Sequence, residues 1–219
     1  MYGELQTCNL FQGMEGEEIS SLLQCLGAQR REYGKGEVIL PEGQATESLG
    51  IVLSGRALIS WGDVWGNNSV LGSVAPGEVF AEVYACIPGE PLRISVSALE
   101  DTRVLFLNVS RALTTCTNAC PFHGKLVGNL LTVCAHKSLR LSQRILHTSP
   151  KSIRGRLMSF FSEWAKISGS SSFQIPYNRQ QLADYLGVDR SALSGELSKM
   201  RKEGLLEYEK NKFRLKLEE

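Results

Sequence analysis

The chain has 219 residues, 42% of them hydrophobic, and a formal net charge of +1. That length suffices for two cores, no run of about 18 apolar residues predicts a transmembrane helix, and acidic Glu4 in place of a basic-then-apolar leader argues against secretion. The six cysteines (Cys8, Cys25, Cys86, Cys116, Cys120 and Cys134) lack the pattern of a small secreted domain, so the expected compartment is a reducing cytoplasm.

A helical lead from Glu15 to Leu26 opens the chain. Six short β-prone runs follow: Glu37–Leu40, Leu49–Leu53, Arg56–Trp61, Ser69–Val74, Leu92–Ala98 and Thr102–Leu107. Turn residues punctuate them at Gly34-Lys35-Gly36, Glu42-Gly43, Ser54-Gly55, Gly66-Asn67-Asn68, Pro76-Gly77 and Glu100-Asp101. Many short strands with regular turns predict a barrel or sandwich, which can enclose a small ligand.

A long helix is expected from Pro121 to His147, with proline at its start. Val127, Leu131, Cys134, Ser138, Leu141 and Ile145 alternate steps of four and three, the spacing of a coiled-coil seam. Leu126, Leu130 and Val133 form a second apolar edge, suited to resting on the β domain. Ser149-Pro150 ends the helix and reads as a hinge.

The last segment is the most specific. Asn178 caps one short helix, with Gln181 three residues on as a capping-box partner. Leu182, Ala183 and Leu186 give it an apolar face, and Gly187 allows a sharp turn. Asp189 caps a second helix whose Leu193, Leu197 and Met200 form a core stripe. Arg190, Ser191, Ser194, Gly195 and Ser198 lie off that stripe, as short or basic groups suited to base edges and phosphates. Gly204 stops the helix. Leu206, Tyr208, Phe213, Leu215 and Leu217 then alternate with charged residues around Lys210-Asn211-Lys212, which predicts a hairpin with one buried face. Helix, turn, helix and wing together read as a DNA-binding head. Charge agrees: residues 151–219 hold 13 Lys/Arg against 9 Asp/Glu, whereas residues 1–150 hold 11 against 14.

In that order, β-roll, long helix and winged helix-turn-helix resemble the Crp/Fnr family of bacterial transcription regulators. The resemblance is carried by Pro76-Gly77-Glu78-Val79-Phe80-Ala81-Glu82, by the long helix, by Arg179-Gln180-Gln181-Leu182-Ala183, and by Val188-Asp189-Arg190-Ser191. The expected class is α+β: an N-terminal double-stranded β-helix (a cupin-like β-roll) over residues 1–120, a dimerisation helix over 121–148, and a winged helix-turn-helix over 149–219. The resemblance implies a cytoplasmic homodimer that binds a small-molecule effector, reads near-palindromic double-stranded DNA and works with RNA polymerase, without a membrane. Arg190 matches the family's basic residue at the start of the recognition helix, and Ser194 a serine of one branch. Ser191 stands where many members carry a base-reading Glu, and Gly195 where many carry Arg. Gln180 and Asp189 join this DNA-facing set, with Arg179, Lys199, Arg201, Lys210 and Lys212 as phosphate contacts.

In cyclic-nucleotide-binding members the roll presents Gly-Glu to the ribose, and then Arg followed by Ser or Thr to the phosphate. Here Ala81-Glu82 stands for Gly-Glu. Arg93 falls one position late, after Leu92, and precedes Ile94. A one-residue slip in a strand turns a side chain to the opposite face, so the cassette argues against cyclic AMP. The expected effector is another small molecule near Glu82, Val83, Tyr84, Arg93, Ser95 and Leu71, while Trp61 and Trp65 pack the hairpin.

Cys116 and Cys120, four residues apart, precede His123 and form a candidate metal or redox site for an alternative kind of sensing. They lack a fourth zinc ligand, so packing beneath the helix is the plainer reading and no metal is expected. An enzyme is not expected: no histidine precedes His123, so the roll has no cupin-type metal cluster, and neither a phosphate loop nor a Ser-His-Asp arrangement is present. A ligand-binding module with no DNA role is the reading from another class.

Overall fold

The computed structural model describes residues 3–63, 65, 68–113 and 122–216. It divides into two compact units, Met1–His136 and Lys137–Glu219.

The first unit opens with α1 (Gly3–Gln6) and α2 (Gly16–Cys25), followed by β1 (Gln29–Tyr33), β2 (Val38–Leu40), β3 (Ser48–Ser54), β4 (Ala57–Gly62), β5 (Asn68–Val74) and β6 (Val79–Phe80). Then come α3 (Glu82–Ala85), β7 (Ser95–Ala98), β8 (Thr102–Asn108), α4 (Val109–Leu113) and α5 (Phe122–Thr148), which continues into the second unit. The strands form two four-stranded sheets, ordered β1-β8-β3-β6 and β2-β7-β4-β5, with every pairing antiparallel.

The run Leu49–Leu53 is buried on both faces, and the period-two geometry of a strand explains why. Val52 of β3, with Val104 and Phe106 of β8, points into the roll beside Phe80, Leu92 and Val96. Leu49, Ile51 and Leu53, with Leu105 and Leu107, point the other way onto α2 (Ile19, Leu22, Leu23) and onto Leu126 and Leu130 of α5. Leu126 and Leu130 of the expected second apolar edge therefore rest on the roll, while half-buried Val133 is not part of that core. Gly50 has a steric role: a Cβ there would lie 2.1 Å from the Phe80 ring across the strand pair.

Two of the roll's strands are not among the sequence-predicted runs. β1 carries Gln29, Arg30, Arg31 and Glu32, all exposed, and pairs through its backbone with β8. β6 is two residues long. The run Leu92–Ala98 becomes a strand only from Ser95.

The second unit adds α6 (Ile153–Ser168), β9 (Ser172–Gln174), α7 (Arg179–Leu186), α8 (Arg190–Lys202), β10 (Leu206–Glu209) and β11 (Lys212–Leu215). Its sheet, β10-β11-β9, extends the expected hairpin by one strand. α6 is a further helix that the sequence reading passed over, although its end signals are ordinary. Ser152 Oγ accepts from Gly155 N at 3.0 Å, and the helix stops at left-handed Gly169. It supplies Leu157, Phe160 and Phe161 to a core shared with Leu182, Leu186, Leu193, Leu197, Met200, Leu206 and Phe213.

Candidate nucleic-acid interface and effector cassette

The helix-turn-helix is built by its caps. Asn178 Oδ1 accepts from Gln181 N, and Gln181 Oε1 accepts from Asn178 N, each at 2.9 Å. Gly187 adopts φ 63° at the end of α7. Asp189 starts α8 by accepting from Ala192 N at 2.8 Å and from the Ser191 hydroxyl. The Ser191 hydrogen bond, then the Ala192 amide, hold the Asp189 carboxyl below its ordinary pKa. Leu193, Leu197 and Met200 are fully buried, so α8 can present only its other face.

On that face Arg190, Ser191, Gly195 and Lys199 are exposed, and Ser194 and Ser198 are half-buried. Ser198 Oγ donates back to Ser194 O at 2.9 Å, and Ser191 is engaged with Asp189. A Cβ built on Gly195 meets nothing within 4 Å. The exposed surface of α8 is thus low over Ser191–Ser198, with the long cations at its two ends: Arg190 in the first turn and Lys199, Arg201 and Lys202 in the last. Gln180 donates to Asp184 Oδ1 at 2.8 Å along α7. Lys212 is exposed at the start of β11.

Arg179 is half-buried against the wing. Its guanidinium lies 5.0 Å from the Tyr208 ring centroid and 5.7 Å from that of Phe213, and it donates to Lys210 O at 3.3 Å. Burial lowers its pKa from the ordinary arginine value. Arg201 lies 5.1 Å from the same Tyr208 ring, so two cations from different helices fix the wing.

Three arginines that sequence reasoning missed hold the head together. Arg156 Nη1 donates to Leu186 O at 2.9 Å and to Gly187 O at 3.1 Å, and its Nε to Pro150 O at 2.9 Å. Arg144 on α5 donates to the carbonyls of Tyr185 and Asp184 at 3.1 and 3.2 Å. Both donate to carbonyls at the end of α7, where backbone partners run short; Asp184 O also accepts from Gly187 N at 3.3 Å. Arg154 bridges α6 to α8, at 2.6 Å to Glu196 and 2.7 and 2.9 Å to Glu203. Glu203 first, and then Glu196, raise the Arg154 pKa, and Arg154 lowers that of Glu203. Apart from the Arg156–Pro150 bond, all these partners lie about thirty or more residues away, which local sequence patterns do not reveal.

In the roll, Ala81 adopts a left-handed backbone, at φ 57° and ψ 13°, a conformation that glycine takes without strain. Glu82 follows and is buried at 3% exposure. Leu92 is 1% exposed and lies in the roll core, whereas the Arg93 side chain is 80% exposed and pairs with Glu90 at 3.4 Å. Arg93 N donates to Tyr84 Oη at 3.4 Å, and Ser95 Oγ accepts from Glu42 N at 3.3 Å. Val83 and Leu71 are exposed.

Along α5, Leu131, Leu141 and Ile145 are 63–70% exposed, Val127 is half-buried, and Cys134 packs against the first unit's core. Cys116, Cys120, Pro121 and Leu217 lie outside the described residues. His123 is buried, and its Nε2 has no hydrogen-bond partner. Among the described residues no cluster of three His, Cys, Asp or Glu could hold a metal, and no helix is long and apolar enough to cross a membrane.

An antiparallel roll with a buried Gly-Glu-like cassette, followed by a capped helix-turn-helix and wing, defines an effector-type domain joined to a DNA-binding head. Comparison with known proteins agrees. Residues 30–118 match the cyclic nucleotide-binding domain, and residues 155–219 match the Crp-like helix-turn-helix domain. The chain belongs to the Crp family of DNA-binding transcription regulators, which are not enzymes. It is 34% identical over 98 residues to the cyclic AMP receptor protein of Thermus thermophilus. That match spans 45% of this chain and less than half, 44%, of the relative. Three solved structures share the fold. The Thermus thermophilus catabolite activator protein has a TM-score of 0.51 at 22% identity, covering 95% of this chain and 93% of its own. The c-di-GMP responsive regulator CLP of Xanthomonas campestris scores 0.58 at 18%, covering 93% and 100%. OCPA-complexed CprK scores 0.60 at 17%, covering 91% and 89%.

Proposed function

We propose that the chain works as a homodimer in the cytoplasm, reading a near-palindromic site through Arg190 and the small residues of α8 and engaging RNA polymerase from there. The observation that carries the dimer is the exposed row Leu131, Leu141 and Ile145, spaced for a coiled-coil partner on a helix whose other edge is already buried. Two-fold symmetry then sets two half-sites about 10–10.5 base pairs apart, or a multiple of that spacing. Selection from a random duplex pool, with sedimentation of the free chain, tests this. A monomer, or a selected site without dyad symmetry, refutes it.

The effector in this reading is a small molecule other than cyclic AMP. Leu92, after Pro91, points inward and Arg93 faces outward, so the cation that would hold a phosphate is turned from the roll. Glu82, Val83 and Tyr84 on α3, with Leu71 and Ser95, remain the proposed effector residues. Calorimetric titration with cyclic AMP is the test; micromolar binding that sharpens DNA affinity overturns this part.

A second reading is favoured by one observation. The buried, unpartnered Nε2 of His123 follows Cys120 by three residues in the sequence, as a metal- or redox-responsive variant of the same regulator would require. Metal analysis of the purified chain separates the two, since zinc or iron bound in proportion to protein, and lost in His123→Ala, favours the second.

A further inference from the structure

Arg179 is the first residue of α7, where the positive end of the helix dipole disfavours a cation and the first turn has no acidic residue to offset it. The wing accounts for its position. Its guanidinium carbon lies 5.0 Å from the Tyr208 ring centroid on β10 and 5.7 Å from that of Phe213 on β11. Those two residues are cross-strand partners, with ring centroids 5.9 Å apart. Nη2 donates to Lys210 O, in the turn between the strands, at 3.3 Å. One guanidinium thus grips both strands of the hairpin and its turn. A planar cation can lie over rings and donate from its edge at the same time.

The turn needs holding. Lys210 sits at φ 53°, in the left-handed region that a residue with a Cβ disfavours. On the side of β9 the tie is Asn211, whose Nδ2 donates to Ile175 O at 2.9 Å and whose carbonyl accepts from Ile175 N at 3.0 Å. On the side of α7 the tie is Arg179. Lys210 and Lys212 flank Asn211, and both are exposed. Cations on a held turn meet a phosphate backbone without the ordering cost that a loose turn would add.

We propose that Arg179 is a positioning residue for DNA binding: it places the wing tip, and Lys210 and Lys212 make the phosphate contacts. This takes the place of the direct phosphate contact expected of Arg179 from the sequence. The proposal rests on the DNA-reading role of the head.

The test is a mutant cycle on the full-length chain, with the duplex it selects from a random pool, over roughly 50 to 200 mM salt. The variants are Arg179→Ala, the pair Lys210→Ala with Lys212→Ala, and all three together. Each lost phosphate contact lowers the salt slope by about 0.9 per protomer, and affinity near 0.1 M salt on the order of tenfold. The lysine pair should therefore lower the slope by about 1.8 per protomer. Arg179→Ala should lower it by more than the 0.9 or so of a single contact, and the triple variant should lose no more than the lysine pair. Losses that add assign Arg179 to a phosphate and overturn the proposal. A lysine pair without effect also overturns it, since Arg179 then has no contact to place.

Hydrogen exchange reads the tie without DNA, which separates its failure from failure of DNA reading. Alanine suits a helix interior, so Arg179→Ala leaves α7 able to form. The Ile175 amide, held by Asn211 O, should exchange roughly fivefold faster in Arg179→Ala, the worth of one net hydrogen bond. The Leu193 amide, held by Asp189 O at 2.9 Å in α8, should keep its rate. An Ile175 amide as slow as in the wild type, or one that speeds only in step with Leu193, overturns the proposal.

Discussion

Arg156 closes the turn of the helix-turn-helix: one of its nitrogens lies 2.9 Å from the Leu186 carbonyl, at the last residue of α7. The same nitrogen reaches Gly187 O, and Nε reaches Pro150 O, so one side chain ties the entry of α6 to the exit of α7. Replacing it strips a charge-assisted donor from several carbonyls at once. Arg156→Ala is expected to cost about 2–3 kcal/mol of stability in the second unit, read by thermal unfolding, and to weaken DNA binding in parallel. Unfolding at the wild-type temperature would show that water serves those carbonyls equally well.

Arg190 is the exposed cation at the first turn of α8, where Ser191 is held by Asp189 and Ser198 by its own helix. In the DNA-reading role proposed above, it is the long side chain of that turn placed to discriminate bases. Arg190→Ala should lose about 1–3 kcal/mol of specific binding and relax one base position in each half-site, with non-specific binding less affected. Repeating the random-pool selection with the variant checks this, and an unchanged consensus would assign Arg190 to phosphate contact instead.

Leu131 is 70% exposed within one protomer, so a polar replacement there costs the protomer's own core little. Leu131→Asp is therefore expected to shift sedimentation towards monomer while leaving the thermal transition of each unit nearly intact. A variant that still sediments as a full dimer would place the seam elsewhere.

Ala81 holds a left-handed conformation that costs an alanine about 1–2 kcal/mol. Ala81→Gly removes that strain but loses a buried methyl group, worth about 0.8 kcal/mol, and gains unfolded-state freedom worth about 0.4–1 kcal/mol. These terms nearly cancel, so Ala81→Gly should leave stability within about 1 kcal/mol. Ala81→Val adds a β-branch at positive φ and should cost more than about 2 kcal/mol. Chemical denaturation of the two variants gives both numbers.

Glu203 predicts a dependence on pH. Arg154 lowers its folded pKa below the ordinary 4.5. A lowered carboxylate stabilises fully above its unfolded value, and that stability is lost as pH falls through the folded value. The melting temperatures of wild type and Glu203→Gln should therefore differ near neutral pH and converge on acidification below about 4.3. A gap that stays constant down to pH 2 would show the bridge contributes nothing through charge.

The reading head was the more legible half of the chain, because caps and turns act over three or four residues. Asn178, Gln181, Gly187 and Asp189 each sit where their chemistry demands, and α8 buries the stripe that Leu193, Leu197 and Met200 announce. β1 was illegible for the opposite reason: Arg30, Arg31 and Glu32 pair through their backbone with a strand some seventy residues later. The arginine ties at Arg144, Arg154 and Arg156 share that difficulty. α6 has end signals of the same local kind, in Ser152 and Gly169. At the cassette, Arg93 does face outward, but from a bend before β7 rather than from a strand position, so the strand-register argument from the sequence does not apply to it.

Gly195 is a bare, exposed position on α8. A new side chain there would meet no protein atom, and α8 is already capped and packed without it. Any residue that tolerates a helix can be tried at that spot without repacking the core. A longer side chain at position 195 would therefore change the outline and chemistry of the exposed face of α8 while Leu193, Leu197 and Met200 stay packed as they are.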